Sequence, residues 1–172
     1  MNAATPPLVG ILMGSDSDFD VMREAGRVLK ELDIAFEMLV TSAHRTPERT
    51  HQYAIRARER GLQVLIVGAG AAAHLAGVVA AVTPLPVIGV PLSATGLQGM
   101  DALLATVQMP GGIPVATMAI GKAGATNAAL YAIRILALTR PDLADRLNAY
   151  HLDMARSVEK KNQLLQERLA DL

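Results

Sequence analysis

Short apolar runs alternate with amphipathic helical stretches along most of the chain. Residues 8–13 make the first run, and Gly14-Ser15-Asp16-Ser17-Asp18 follows as a turn, with Ser17 or Asp18 placed to cap a helix. That helix carries Val21, Met22, Ala25, Val28, Leu29 and Leu32 at helical spacing. A second run, 35–40, leads through Ser42-Ala43-His44-Arg45-Thr46 into a helix predicted over 47–60, with Pro47 at its first turn. Strand 64–67 then passes through Gly68-Ala69-Gly70 to an alanine-rich helix over 72–82, and strand 86–90 is followed by a helix over 99–107. Strand 115–120 and an apolar helix over 123–138 complete the alternation. Beyond Pro141 a more polar helix keeps Leu143, Leu147, Tyr150 and Met154 on one stripe, the pattern of a helix packed against the domain or a neighbouring subunit. Five short strands alternating with helices predict an α/β fold, with a central parallel sheet covered on both faces and right-handed connections. The chain reads as one domain, with 1–7 flexible and 140–172 a helical extension.

Composition removes several classes of function. Among 172 residues, 51% are hydrophobic and sixteen basic side chains balance sixteen acidic ones. No global field therefore draws the protein to nucleic acid or to an anionic membrane, and the five aromatic side chains are too few for a base-stacking platform. Cysteine is absent, which removes disulfides, thiolate catalysis and cysteine-based zinc sites. The first seven residues hold neither a basic segment nor an apolar signal core, so a cytoplasmic location is expected. From Gly61 to Gly121 the only formal charge is Asp101, with His74 the one other ionisable group. Pro84, Pro86, Pro91, Pro110 and Pro114 interrupt that region before any segment reaches the ~20 apolar residues that a membrane-spanning helix needs. A monomer seldom exposes so wide an uncharged surface, and burial between subunits is the expectation.

Three loops at strand ends carry candidate chemistry. His44 stands beside Arg45 where the second strand ends: an imidazole takes and gives protons near neutral pH, while a guanidinium forks two hydrogen bonds onto a phosphate or carboxylate. The alternative is a surface histidine on an ordinary helix start. Residues 14–18 offer hydroxyls, carboxylates and a helix N-terminus, which suits a phosphate and equally suits plain capping; the lysine and spacing of a Walker loop are missing. Gly68-Ala69-Gly70-Ala71-Ala72-Ala73 fits a dinucleotide-binding pattern, but the acidic residue expected ~20 positions on is absent, since Asp101 is the first carboxylate after Glu59. The small residues instead permit close approach of a compact ligand or another helix. By itself His74 reads as a hydrogen-bonded structural histidine, and His51 and His151 as solvated. Residues 108–114, rich in Pro and Gly, form either a lid or a tight connection. No metal-ligand spacing and no nucleophile elbow occurs.

Taken together, Met13-Gly-Ser-Asp-Ser-Asp18, Ser42-Ala-His-Arg-Thr-Pro47, Gly68-Ala-Gly-Ala-Ala-Ala-His-Leu75, Gly89-Val-Pro91, Gln108-Met-Pro110, Ile113-Pro-Val115 and Ala119-Ile-Gly121 resemble, in order, the N5-carboxyaminoimidazole ribonucleotide mutases of purine biosynthesis. The resemblance covers about residues 8–138. It implies a three-layer αβα sandwich of flavodoxin-like type and a homo-octamer with active sites at subunit junctions. It also implies a reaction that moves a carboxylate from the exocyclic amine to a ring carbon of an aminoimidazole ribonucleotide, without ATP, biotin or metal. His44 would be the general acid and base, Arg45 the phosphate partner, and Ser15 and Asp18 ligands of the phosphate and ribose end. Gly70, Ala71 and Ala72 would line the carboxylate or carbon dioxide pocket, with His74 nearby, and Ser17, Ser42 and Ala43 complete the expected substrate-binding set. No cofactor, metal, nucleic-acid or membrane partner is expected. Two positions depart from the family pattern, which has Gly at position 71 and Pro at position 76, where this chain has Ala71 and Ala76. Arg45-Thr46 favours the mutase over the related carboxylases that use free carbon dioxide, in which Lys-Gly tends to follow the histidine. A non-catalytic nucleotide-binding module would not need His44, and a dehydrogenase would need the missing ribose carboxylate.

Overall fold

The computed structural model describes residues 6–170. Five parallel strands, β1 (Val9–Met13), β2 (Phe36–Val40), β3 (Val64–Gly70), β4 (Val87–Leu92) and β5 (Ala116–Thr117), lie in the order β2-β1-β3-β4-β5. Six α-helices surround them: α1 (Phe19–Glu31), α2 (Pro47–Arg56), α3 (Leu75–Ala80), α4 (Met100–Val107), α5 (Lys122–Ala137) and α6 (Pro141–Ala170). The three strands β1, β3 and β4 are apolar on both faces because both faces are covered. On one side Ile11, Ile66 and Val90 meet Met22 and Leu29 of α1, Ala129 and Ile133 of α5, and Leu143 and Leu147 of α6. On the other, Leu12, Leu65 and Val67 meet Ala54 of α2, Leu75 and Val79 of α3, and Ala102 of α4. The result is the expected αβα sandwich with flavodoxin-like strand order.

The boundaries move where tertiary contact overrides local pattern. β3 runs on through Gly68, Ala69 and Gly70, which pair with Val90, Pro91 and Leu92, whereas the glycines read as a turn in sequence. They are small because neighbours press on them: a Cβ at Gly68 would sit 2.3 Å from Met22 Sδ, and one at Gly70 2.5 Å from Ala94 Cβ. The third helix starts at Leu75 rather than near residue 72, because Ala71 takes the left-handed backbone, with φ at 52°. β5 shrinks to two residues, and beyond it the Gly121 N–H donates to Pro91 O at 2.9 Å. The capping bonds also move. Asp18 holds the position before α1, as expected, but its side chain makes no capping bond there; Ser15 caps a single 3₁₀ turn (Asp16–Asp18) that leads into α1, its side chain accepting from Ser17 N–H while the Asp18 carboxylate accepts from Ser15 N–H.

The stripe on α6 divides in two. Leu143 and Leu147 are buried and Tyr150 packs against the core, but Met154 is 52% exposed. Arg146 ties this packed half to the end of α1, donating to Leu32 O at 3.0 Å. His51 and His151 are exposed, as expected. In the uncharged region Val78, Leu97, Met100, Leu104 and Val107 stay exposed. Residues 1–5, most of the segment expected to be flexible, lie outside the described residues. No helix among the described residues is long and apolar enough to cross a membrane.

Candidate active site

In this strand order the connections from β1 and β3 leave in opposite directions, opening a crevice at the carboxyl ends of the strands. A cavity of about 320 Å³ occupies it, walled by the loops after β1, β2, β3 and β4. Gly14, Ser15, Ser17 and Asp18 come from the first loop and Ser42, Ala43, His44 and Arg45 from the second. Ala69 and Gly70 come from the end of β3, Ala72 from the loop after it, Leu75 from the start of α3, and Ala94 from the loop after β4. Nine of the eleven residues expected to serve the site therefore line one cavity. Ala71 and His74 stand just outside it.

The second loop is held by a chain of threonine hydroxyls. Thr41 and Thr50 are buried, at 2% and 0% exposure, and their hydroxyls meet at 2.8 Å. Thr50 also donates to Thr46 O at 3.2 Å, and Thr46 Oγ1 donates to Ser42 O at 3.1 Å while accepting from Ser42 N–H at 2.9 Å. Each hydroxyl has one proton, so the consistent direction is Thr41 to Thr50, Thr50 to Thr46 O and Thr46 to Ser42 O. Ser42 in turn accepts from Arg45 N–H at 3.2 Å. These bonds present the His44 and Arg45 side chains toward the cavity. Thr41 and Thr50 went unnoticed in the sequence, where the i, i+4 pair Thr46 and Thr50 close behind Thr41 was the available signal.

Arg45 crosses the crevice and donates from Nη2 to Gly14 O at 2.9 Å, so its charge lies beside the Ser15–Asp18 turn. Burial pushes the Asp18 carboxyl above its ordinary value of 3.8, against the bonds from the Ser15 and Gly14 amides; the neighbouring Asp16 adds to the rise and Arg45 opposes it. Guanidinium, hydroxyls and carboxylate thus converge on one side of the cavity, groups that can hydrogen-bond an anion and hydroxyls. His44 occupies the same wall. Its Nε2 lies 2.9 Å from His74 Nδ1, with the two rings edge to face at 84°. His74 holds the position before α3, so the histidine read as structural touches the one read as catalytic.

The wall opposite the charges is made of small residues. Ala94, missed in the sequence, sits against Gly70, and the glycine itself was the clue. The left-handed backbone at Ala71 explains why glycine suits that position: an L-residue there costs roughly 1–2 kcal/mol. Ala76 falls in the first turn of α3, where a proline would forfeit no intrahelical bond. Residues 112–114, from the segment read as lid or connection, line a separate apolar hollow of about 660 Å³ with Pro84, Pro86 and Tyr131, not the His44 cavity. Among the described residues no three His, Cys, Asp or Glu side chains gather as they would around a metal ion.

A flavodoxin-like α/β protein with a histidine and an arginine side by side in a cavity at its switch point is the class that fold and cavity define. Residues 8–157 match the AIR carboxylase family model. The chain is 55% identical over 161 residues to the N5-carboxyaminoimidazole ribonucleotide mutase of Pyrococcus horikoshii, covering 94% of this chain and 90% of that one. It is 54% identical over 160 residues to the mutase of that name from Bacillus subtilis, covering 92% and 99%. Among solved structures, Treponema denticola PurE superposes with a TM-score of 0.80 at 29% identity, covering 91% of this chain and 97% of that one. The chain belongs to the AIR carboxylase family.

Proposed function

We propose that this protein is an isomerase of purine biosynthesis, a mutase that converts N5-carboxyaminoimidazole ribonucleotide into 4-carboxy-5-aminoimidazole ribonucleotide. The observation that carries the reading is the convergence of His44, Arg45, Ser15 and Asp18 on one cavity, in a chain more than half identical to relatives named as that mutase. Arg45 and the Ser15–Asp18 turn, with Ser17, hold the phosphoribosyl end. Ser42 and Ala43 border the ring, and Gly70, Ala71 and Ala72 bound the space for the carboxylate.

The chemistry follows from the groups present. The N–carboxylate bond breaks, carbon dioxide departs, and His44 protonates the nitrogen that keeps the electron pair. The electron-rich ring carbon then attacks the held carbon dioxide, forming the C–C bond. His44, now a base, removes the hydrogen of that ring carbon, and the ring regains its aromatic electron count. Protons and electrons balance over the cycle without a co-reactant. Holding carbon dioxide against the ring carbon makes its capture effectively unimolecular.

The protein functions in the cytoplasm as a homo-octamer. The exposed apolar side chains of α3 and α4, with the uncharged hollow beside Pro84 and Tyr131, support burial between copies. Light scattering should give the octamer, and an active monomer at micromolar concentration would sink that assignment. The reaction is tested with N-carboxylated substrate in a large excess of labelled bicarbonate. Product should carry mostly the original carboxylate; labelling to the level of the bulk pool, above uncatalysed exchange, would mean that free carbon dioxide is the substrate.

A further inference from the structure

Asp101 is the one formal charge between Gly61 and Gly121, and it does not line the His44 cavity. It stands in the first turn of α4, where the helix dipole favours a carboxylate. Both of its oxygens are engaged. Oδ1 accepts from Ala102 N–H at 2.9 Å, and Oδ2 accepts from the Thr95 hydroxyl at 2.8 Å. The Thr95 hydroxyl in turn accepts from Leu97 N–H at 3.1 Å, and Thr95 O accepts from Gln98 N–H at 3.1 Å. The loop after β4 is thus folded about Thr95, and Thr95 is tied to the head of α4.

That tie works against the loop's own preference. Gln98 has φ at 53°, in the left-handed region that an L-residue disfavours. Leu97 beside it is 65% exposed, so among the described residues little apolar burial holds the tip. The residue before Thr95 is Ala94, which lines the His44 cavity and sits against Gly70. We infer that Asp101 and Thr95 are positioning residues: their hydrogen bond keeps Ala94 closed against Gly70, so that carbon dioxide freed from the substrate is recaptured rather than lost. This rests on the mutase reaction proposed above. With the bond cut, the strained loop relaxes and the wall beside the carboxylate space opens. Carbon dioxide that escapes leaves the ring carbon with its hydrogen. The free amine is then released, and His44, having given its proton to the nitrogen, regains one from solvent. Each turnover therefore ends either in the carboxylated product or in the bare aminoimidazole ribonucleotide, and the ratio reports how well the wall is held.

The test supplies N-carboxylated substrate in labelled bicarbonate, with carbonic anhydrase keeping the bulk pool equilibrated. Labelled product and released amine are counted per substrate consumed, after correction for uncatalysed exchange and decarboxylation. Thr95→Val and Asp101→Ala should each raise both fractions about 3- to 10-fold over wild type, the scale that one hydrogen bond sets for an open–closed equilibrium. Thr95→Ser keeps the hydroxyl and should stay near the wild-type ratio. A purely structural role would lower the folded fraction and leave these ratios unmoved, because they are counted per turnover. In Thr95→Val the Gln98 amide keeps its own acceptor, Thr95 O, yet should exchange hydrogen faster than in wild type as the loop opens. Unchanged ratios in the Val and Ala variants, a Ser variant as leaky as the Val one, or equal exchange at Gln98 would overturn the inference; if one variant does not fold, the other decides. A wild type that labels its product to the level of the bulk pool would instead refute the proposed mutase reaction, and the exchange at Gln98, which needs no turnover, would still decide for the loop.

Discussion

Thr50→Val removes one hydroxyl from the buried chain that carries the His44 loop, at almost no change in volume. Thr50 Oγ1 is the acceptor for Thr41, 2.8 Å away, and both residues are shielded from water. Without it the Thr41 hydroxyl has only Thr46 Oγ1, at 3.4 Å, a poor substitute at that distance. Leaving a buried hydroxyl unpaired costs about 1–3 kcal/mol, and the weak alternative places the expectation in the lower part of that range, about 1–2 kcal/mol. For a domain of this size that corresponds to a fall in Tm of roughly 2–8 °C. Thr41→Val should be milder, since Thr50 keeps its bond to Thr46 O. The double variant should recover much of the loss, because Thr46 O still accepts the Thr50 N–H at 3.1 Å and no hydroxyl is orphaned. Urea and thermal unfolding of all four proteins at one concentration closes the double-mutant cycle. If Thr50→Val matches the wild type within about 0.3 kcal/mol, a resolution typical of such cycles, or if the double variant is less stable than Thr50→Val alone, the hydroxyl chain does not hold the loop.

His44→Asn should fold and bind product while losing at least about 10²-fold in turnover, the contribution of acid–base help; single-turnover and product-binding measurements separate the two. Arg45→Ala should weaken substrate binding by about 1.5–3 kcal/mol, the value of hydrogen bonds to a charged group, visible by calorimetry as a roughly 12- to 150-fold rise in Kd. Asp18 has its folded pKa raised above 3.8, chiefly by burial, so the folded chain takes up this proton at higher pH than the unfolded one. Its contribution to stability should therefore grow as pH falls from neutral through the raised pKa and level off below the unfolded value. Denaturation at a series of pH values should show that rise lost in Asp18→Asn, and an unchanged slope would reject it.

The order and type of the elements were legible in the chain because apolar periodicity reports burial directly, and α/β alternation leaves one economical solution, a parallel sheet covered on both faces. His44, Arg45 and the Ser15–Asp18 turn were legible for a related reason: loops at the carboxyl ends of strands meet at the switch point, so polar residues there converge. Length was less legible. Gly68 and Gly70 lengthen β3 because Met22 and Ala94 press on them, and those neighbours lie far away in sequence. The left-handed Ala71 shortens the next helix through backbone geometry that alanine does not announce. The meeting of His44 with His74, thirty residues apart, belongs to tertiary structure alone. Hydrogen bonds depend on tenths of an ångström and on angle, which are set only when two loops from different strands are packed side by side.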